Sequence, residues 1–410
     1  MVSNTKGVSS RAVKRAKLSE SASPDEGAQN ATNKHSIFTK WSQDRGVEIS
    51  GVAPMRLPGR GLGLVTTRAI ATDERMLFIP EKAMFKPNQR FLKAQSLERA
   101  SPQAQLAMSA MTVAKSDDSP LAVWQATWPS AEDLSQALPM CWTQTERDNL
   151  PPSVQQPLAR QEEDYRKDWE AVSKVCEDHG WSETDWMYYW QIINSRSFHW
   201  KSPRGKTGSM VMCPFIDYMN HGPSETTCTV IQGPRGYEML ADRDYEAGEE
   251  VLATYGAHSN DKLLVHYGFV CSSSPDSPNP DDDIRLDHLL LPALGDDVRS
   301  QLQDVGFLGA YALLPATNEL CFKTQVAVRA VLLTCNEWEY FMASGEDLRA
   351  DQTAAVKAYL MPLLSRYSTL ATDNLNLLLS ERPVGYQQSA ADVLITRWTQ
   401  IQEALVAYVR

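Results

Sequence analysis

Gly248-Glu249-Glu250-Val251-Leu252-Ala253-Thr254-Tyr255-Gly256 is the stretch on which the reading of the fold turns. A turn at Glu246-Ala247-Gly248 leads into Val251–Thr254, a β-type run that stops at a tyrosine and a glycine. Upstream, Gly233-Pro234-Arg235-Gly236 separates Cys228–Ile231 from Tyr237–Ala241, which predicts a hairpin. Met210 to Thr254 therefore reads as β. Further back, Val47-Glu48-Ile49, Leu62–Thr67 and Met76–Ile79 are short β-type runs divided by Gly and Pro. Between the two β-rich segments, from about Pro87 to Ser195, the period becomes helical: Leu158, Tyr165, Trp169, Val172 and Cys176 share one helical face. Trp124, Trp128, Trp142, Trp169, Trp181, Trp186 and Trp190 give this block a large apolar payload, expected in its core.

Ser272–Asp283, SSSPDSPNPDDD, has the Pro, Ser and Asp content of an exposed linker. Beyond it the pattern is helical to the end. Val356, Tyr359, Leu360, Leu363, Leu364 and Tyr367 form one stripe, and Leu394, Trp398, Ile401, Leu405 and Tyr408 another. Residues 1 to 36 carry almost no large apolar side chains and are expected to be disordered. Within them Arg11, Lys14, Arg15 and Lys17 have the composition of a nuclear-import signal, a pattern that chance also produces. The expected division is 1–36 tail, 37–86 and 196–272 a β-rich core, 87–195 a helical insertion, 273–283 a linker and 284–410 a helical C-terminal domain: an α+β protein.

Across 410 residues, 42% hydrophobic, a net charge of −11 disfavours a nucleic-acid binder, which needs a concentrated basic surface, and suits a partner rich in Lys and Arg. No apolar stretch has the length of a membrane span, since Lys323 and Arg329 interrupt the longest candidate, and the N-terminus has no apolar signal core, so secretion is not expected. The seven cysteines are scattered, without a CxxC pair. They read as small buried hydrophobes in a reducing compartment, with no metal site.

Several familiar motifs fail. Gly59-Arg60-Gly61-Leu62-Gly63-Leu64 places Leu64 where a dinucleotide loop needs its third Gly, and Trp200 stands where a P-loop ending in Gly205-Lys206-Thr207 needs its first. No zincin HExxH or hydrolase G-x-S-x-G pattern occurs. Four pieces remain: Gly59–Leu64; Asn194-Ser195-Arg196-Ser197-Phe198; Asp217-Tyr218-Met219-Asn220-His221; and Gly248–Gly256, continued by Ser259-Asn260 and His266-Tyr267-Gly268-Phe269. In this order, on β-rich segments split by a helical insertion and followed by a helical domain, they resemble the SET-domain protein lysine methyltransferases. The likeness is to the zinc-free type represented by the Rubisco large-subunit methyltransferase and the fungal ribosomal-protein lysine methyltransferases. It covers Val47 to Phe269 by motif and the remainder by helical character.

The resemblance implies a knotted β-rich SET core with a helical insertion, and an all-α C-terminal domain that binds substrate. It implies S-adenosylmethionine as cofactor, Tyr255 as the catalytic tyrosine, and a cofactor set of Arg60, Gly61, Leu62, Gly63, Arg196, Asp217, Asn220, His221, Tyr255 and Phe269, with Tyr267 beside a lysine channel and no metal. The residue chemistry agrees. Asn220 offers a donor and an acceptor to a ligand bearing both ammonium and carboxylate, glycines permit close backbone approach, and Arg196 suits a carboxylate. Arg196 and Asp217 fit a structural ion pair equally well, and core packing is the rival reading for Phe269. Gly222-Pro223 departs from the Ser that often follows the family's Asn-His pair, and Lys201, Arg204 and Lys206 mark a basic loop without an assigned role. The implied partner is a protein substrate, ribosomal proteins first, acted on by a monomer in cytoplasm or nucleus. A catalytically silent SET scaffold is the alternative, and a histidine or N-terminal nitrogen as methyl acceptor stays open.

Overall fold

Val52–Leu57 and Gly61–Thr66 pair as an antiparallel hairpin in the computed structural model, which describes residues 26–58, 60–201, 208–223, 226–271, 279–349, 352–380 and 387–410. Glu250–Ala253 pairs with the far edge of Gly61–Thr66, Glu250 opposite Val65, and a two-residue strand beginning at Asn220 completes four strands. A second four-stranded sheet runs in the order Glu48–Ile49, Arg75–Pro80, Gly236–Leu240, Thr229–Gly233. Its last two strands are the predicted hairpin, closing with Gly233 opposite Gly236. Val52–Leu57 is absent from the sequence reading because Gly51 and Pro54 look like breakers. Pro54 is tolerated because the strand lies at a sheet edge.

The chain forms two compact units. The first comprises the residues up to Ala83 with Pro214–Asn220 and Thr226–Ala253, and so holds both sheets. Leu64, Leu77, Ile79, Met239 and Val251 fill its core. A helix over Glu26–Asp44 also belongs to it, which corrects the expected disordered tail of 1–36 from residue 26 onward. Its anchor is Phe38, fully buried with its ring centroid 5.7 Å from Tyr218, while His35 Nδ1 lies 2.8 Å from the Tyr218 hydroxyl. The basic cluster of Arg11 to Lys17 lies outside the described residues, as do Gly59, Arg204–Lys206 and most of the Ser-Pro-rich stretch after Cys271.

The second unit comprises Met84–Cys213, His221–Glu225 and Thr254–Arg410. The residues expected as one β-rich core over 196–272 are thus shared by both units. The strands Ser197–Trp200 and Ser209–Met212 fall in the second, where Met212 bridges to Phe85. The predicted stripe of the long helix Pro152–Asp178 is buried at Leu158, Tyr165, Val172 and Cys176, and Trp124, Trp128, Trp142, Trp186 and Trp190 are core residues. Capping boxes at Ser130/Asp133, Thr143/Glu146 and Ser182/Asp185 start three of the helices by satisfying otherwise orphaned N–H groups.

Toward the C-terminus the helices Thr353–Ser380 and Gln388–Val409 pack on one another through the two predicted stripes. The expected all-helical character is amended by a small antiparallel sheet of Ile284–Arg285, Ala312–Leu314 and Glu319–Leu320. The linker reading is corrected as well. Asn279 and Asp282 are buried, because Asp282 accepts from the buried guanidinium of Arg397 at 2.7 Å. Composition made this segment look solvated, and one long-range partner reverses that. Cys176, Cys213 and Cys228 are buried as expected, whereas Cys335 is exposed. No helix among the described residues is long and apolar enough to cross a membrane.

Candidate functional site

The motif residues fall into two clusters, one in each unit. That of the first unit is built on strands. Arg60 N–H closes the hairpin onto Leu57 O at 3.2 Å, and Gly61 follows with φ +72°. Two residues on, Gly63 is buried where a Cβ would lie 2.6 Å from Leu57 Cδ1 and 3.0 Å from both Asn220 Nδ2 and Glu250 Oε1. Only glycine allows strand and side chains to approach so closely. Glu250 then joins the cluster: Oε1 accepts from Asn220 Nδ2 at 2.9 Å and Oε2 pairs with Arg60 Nη1 at 3.0 Å. A carboxylate only accepts, so the Asn220 amide must turn its NH₂ toward Glu250 and its carbonyl oxygen the other way.

Asp217 sits in the 3₁₀ turn Ile216–Tyr218. The residue before it, Phe215, has φ +75° and ψ −35°, a strained conformation for a bulky side chain. It is held by burial, with ring centroids 6.4 Å from Phe38 and 5.3 Å from Tyr218. The helix Glu26–Asp44 thus helps to fix the turn that precedes Asn220.

The cluster of the second unit is aromatic. Tyr255 leaves the strand with its backbone N–H donating to His221 Nδ1 at 3.1 Å, so the neutral imidazole carries its proton on Nε2. Four rings gather there: Tyr255 lies 4.9 Å from Tyr267, 5.2 Å from His221 and 6.3 Å from Phe269, centroid to centroid. Tyr267 ends the helix Asn260–Tyr267, and Gly268 caps it at φ +78°. A Cβ at Gly268 would meet Ala137 O at 2.7 Å, so glycine is required there twice over. Burial pushes the Tyr267 phenol further above its ordinary pKa, so it stays a hydroxyl donor into the alkaline range.

Two imidazoles flank this wall. Burial, then Lys262, pulls His258 below its usual value, and its ring stacks 6.4 Å from Tyr267. Burial, reinforced by Lys262 and His258, takes His266 down to about 4. His266 Nδ1 lies 3.1 Å from Asn194 Oδ1, while Asn194 Nδ2 donates to His266 O at 3.1 Å. Asn194, quoted above as part of the second motif piece, therefore holds the helix that carries Tyr267. Arg196 is the last residue of the helix Glu183–Arg196.

The structure brings Arg60, Gly63 and Asn220 together around Glu250, and His221, Tyr255, Tyr267 and Phe269 around one another. Sequence reasoning missed Glu250, His258 and Asn194 as organisers. The signal for Glu250 was present: it is a carboxylate leading directly into an apolar strand of the deciding motif. Among the described residues no group of three or more His, Cys, Asp or Glu is placed to hold a metal ion.

Comparison with known proteins bears on the fold. The family model described as the SET domain matches residues 61–256. The ribosomal lysine N-methyltransferase set11 of Schizosaccharomyces pombe is 27% identical over 213 residues, 52% of this chain and 51% of that protein. The chain thus spans about half the length of that relative. SET domain-containing protein 4 of Mus musculus is 23% identical over 325 residues, covering 70% of this chain and 72% of that one. Among solved structures, the SET domain of LSMT bound to lysine and AdoHcy superposes with a TM-score of 0.62 at 15% identity, over 92% of this chain and 90% of the other. Rubisco LSMT bound to AdoMet gives 0.61 at 17% identity over the same shares. Motif order, strand pairing, the match of residues 61–256 to the SET-domain model and the architecture shared with LSMT show that the chain has a SET-domain fold.

Proposed function

We propose that this chain is an S-adenosylmethionine-dependent protein methyltransferase whose acceptor is a lysine side chain. The observation that carries the reading is the Tyr255 cluster: a tyrosine pinned through its own N–H to His221 and walled by Tyr267 and Phe269. A free lysine has a pKa near 10.4, so only about one in two thousand is neutral at pH 7. An aromatic wall raises the neutral fraction by desolvating the amine, and the two tyrosine hydroxyls offer it hydrogen-bond partners that fix its direction. The neutral state of His258 and His266 at pH 7 adds no positive charge that would bind anions in place of the substrate.

The residues present fit the cofactor. Among the described residues nothing lies within 4 Å of a Cβ built at Gly61, which leaves room beside a backbone at positive φ, and the Asn220 carbonyl oxygen is turned away from Glu250 as an acceptor for an ammonium. Arg196 suits the carboxylate, Phe269 the adenine face, and Leu62, Asp217 and the His221 backbone complete the proposed set. When bound, S-adenosylmethionine supplies a methyl group activated on a sulfonium. The work of this chain is then to hold both partners, exclude water and orient the amine lone pair, since a direct displacement needs no covalent enzyme intermediate.

What supports a ribosomal protein as substrate is the similarity to set11 together with the charge of −11, which favours a basic partner. Residence in the cytoplasm or nucleus and a monomeric state belong to the same proposal. The test is transfer of labelled methyl from S-adenosylmethionine into cell extract by the purified chain, with the modified residue located by mass spectrometry. Label on a lysine that disappears with Tyr255→Phe is the expected result. Label on histidine would move the acceptor, and absence of both labelling and cofactor binding would leave a scaffold.

A further inference from the structure

The helix Asn260–Tyr267 carries Tyr267 at its end, and Phe269 follows two residues later. Asn194 grips this short segment at His266, which leaves its two ends to be held from elsewhere. The C-terminal helix Gln388–Val409 supplies the answer through Arg397, whose side chain is 0% exposed. Its Nε donates to Asp261 Oδ1 and its Nη1 to Asp282 Oδ2, each at 2.7 Å. Burial opposes the guanidinium charge, but the two carboxylates more than offset it and hold Arg397 protonated. One turn later Gln400 reaches both ends of the segment. Its Oε1 accepts from Asn260 Nδ2 at 3.0 Å, and its Nε2 donates to the Cys271 carbonyl at 2.7 Å. Asn260 closes the loop, Oδ1 accepting from Cys271 N–H at 3.1 Å, while its own N–H donates to Asp282 at 2.9 Å.

The two ends of the stretch, Asn260–Asp261 and Cys271, are thus tied, directly or through Asp282, to one face of the C-terminal helix. A buried arginine with two carboxylates is poor value as pure stabilisation, because desolvation cancels much of the attraction. It is effective at fixing geometry, since guanidinium and carboxylate groups bond only in defined directions. We infer that Arg397 is a positioning residue of the methyltransferase site, setting the Tyr267–Phe269 wall from the C-terminal helix with Gln400 as its second grip. The inference rests on the proposed activity for its catalytic consequence, but not for its structural one.

The test uses the full chain with Arg397→Lys, which keeps the charge but loses the two-carboxylate fork, and Gln400→Ala as a milder second variant. Amide hydrogen exchange and steady-state methyl transfer are measured on both. Amides of residues 260–271 are expected to exchange about tenfold faster than in wild type while those of Glu183–Arg196 do not change. The kcat should fall about tenfold with KM for S-adenosylmethionine within about twofold. Unaltered exchange in 260–271, or unaltered kcat in both folded variants despite a lower melting point, would reduce Arg397 to a core ion pair and overturn the inference. A wild-type chain that transfers no methyl would sink the proposed activity instead, and exchange alone would then decide the positioning role.

Discussion

The strand-borne cluster around Glu250 and the helix-borne cluster around Tyr255 hold their residues in different ways. In the first, hairpin register places the parts: Gly61–Thr66 is flanked by strands on both sides, and a single carboxylate, partly exposed, trims the result. In the second, no ladder passes through Tyr267 or Phe269, and a buried polar net of Arg397, Asp261, Asp282, Asn260 and Gln400 takes its place. A strand site tolerates the loss of one side chain because backbone bonds remain. A helix site tied by side chains does not. Arg397→Ala strands two buried carboxylates and should therefore cost about 3–5 kcal/mol, the range for breaking a buried pair from one side. Denaturant unfolding followed by tryptophan fluorescence checks this. A loss near 0.5 kcal/mol would mean that water relieves the pair and that the contrast is overdrawn.

Next in size is Tyr255→Phe, which removes a hydroxyl and leaves the ring packing intact. Methyl transfer should drop by about 10²–10³, equivalent to roughly 3–4 kcal/mol of transition-state stabilisation, with unchanged cofactor affinity in calorimetry. Retained turnover would take catalysis away from the aromatic cluster.

The aromatic region also carries a pH signature. With its folded pKa depressed to about 4 and an unfolded value near 6.5, His266 is proton-free in the folded chain across a window where the unfolded chain takes up a proton. Its contribution is therefore complete above pH 6.5, and is lost progressively as pH falls toward 4, by about 3 kcal/mol in all. Unfolding free energies at pH 7 and pH 4.5, compared between wild type and His266→Gln, isolate this part. The variant should lose less on acidification, and identical losses would show that His266 reaches water before the helix opens.

This contrast also explains what the sequence disclosed. The strands of the first cluster were legible because their signals are local: alternation, a Gly-Pro turn, and Gly61 and Gly63 inside one short motif. The exception, Val52–Leu57, was hidden by Pro54, whose tolerance depends on an edge position that only the sheet order reveals. The helical stripes were legible for the same reason. The net behind Tyr267 was not, since Asp282 meets Arg397 across 115 positions and sits in a segment whose composition imitates a solvated linker. No periodicity encodes a pairing of that kind. Likewise the helix Glu26–Asp44 was lost among polar residues, because its deeply buried hydrophobic anchor, Phe38, lies toward its C-terminal end.

Within the strand cluster the larger effect belongs to Gly63→Ala. The added methyl meets Asn220 Nδ2 and Glu250 Oε1 at 3.0 Å as well as the movable tip of Leu57. Overpacking of this sort costs about 1–3 kcal/mol. Because the displaced groups are Asn220, proposed to meet the cofactor, and the carboxylate that orients it, affinity for S-adenosylmethionine should fall at least about tenfold by calorimetry. Normal affinity would show that the hairpin is rigid for the fold's sake alone.

The smallest change is the most discriminating. Glu250→Gln keeps the shape of the side chain but can present an NH₂ as readily as an oxygen, so the acceptor-only constraint that fixes the Asn220 amide disappears. Stability should hardly move, by less than about 1 kcal/mol, since the lost pair with Arg60 is half exposed and such pairs contribute little. Cofactor affinity should nevertheless fall about threefold to tenfold, because a fraction of molecules now offers the ammonium a donor where it needs an acceptor. Stability and affinity would then separate at a single residue, as expected where backbone pairing carries the fold and one carboxylate orients the ligand group. If both stayed level, Asn220 would owe its orientation to the strand itself, and the two clusters would differ even more sharply in what their side chains are for.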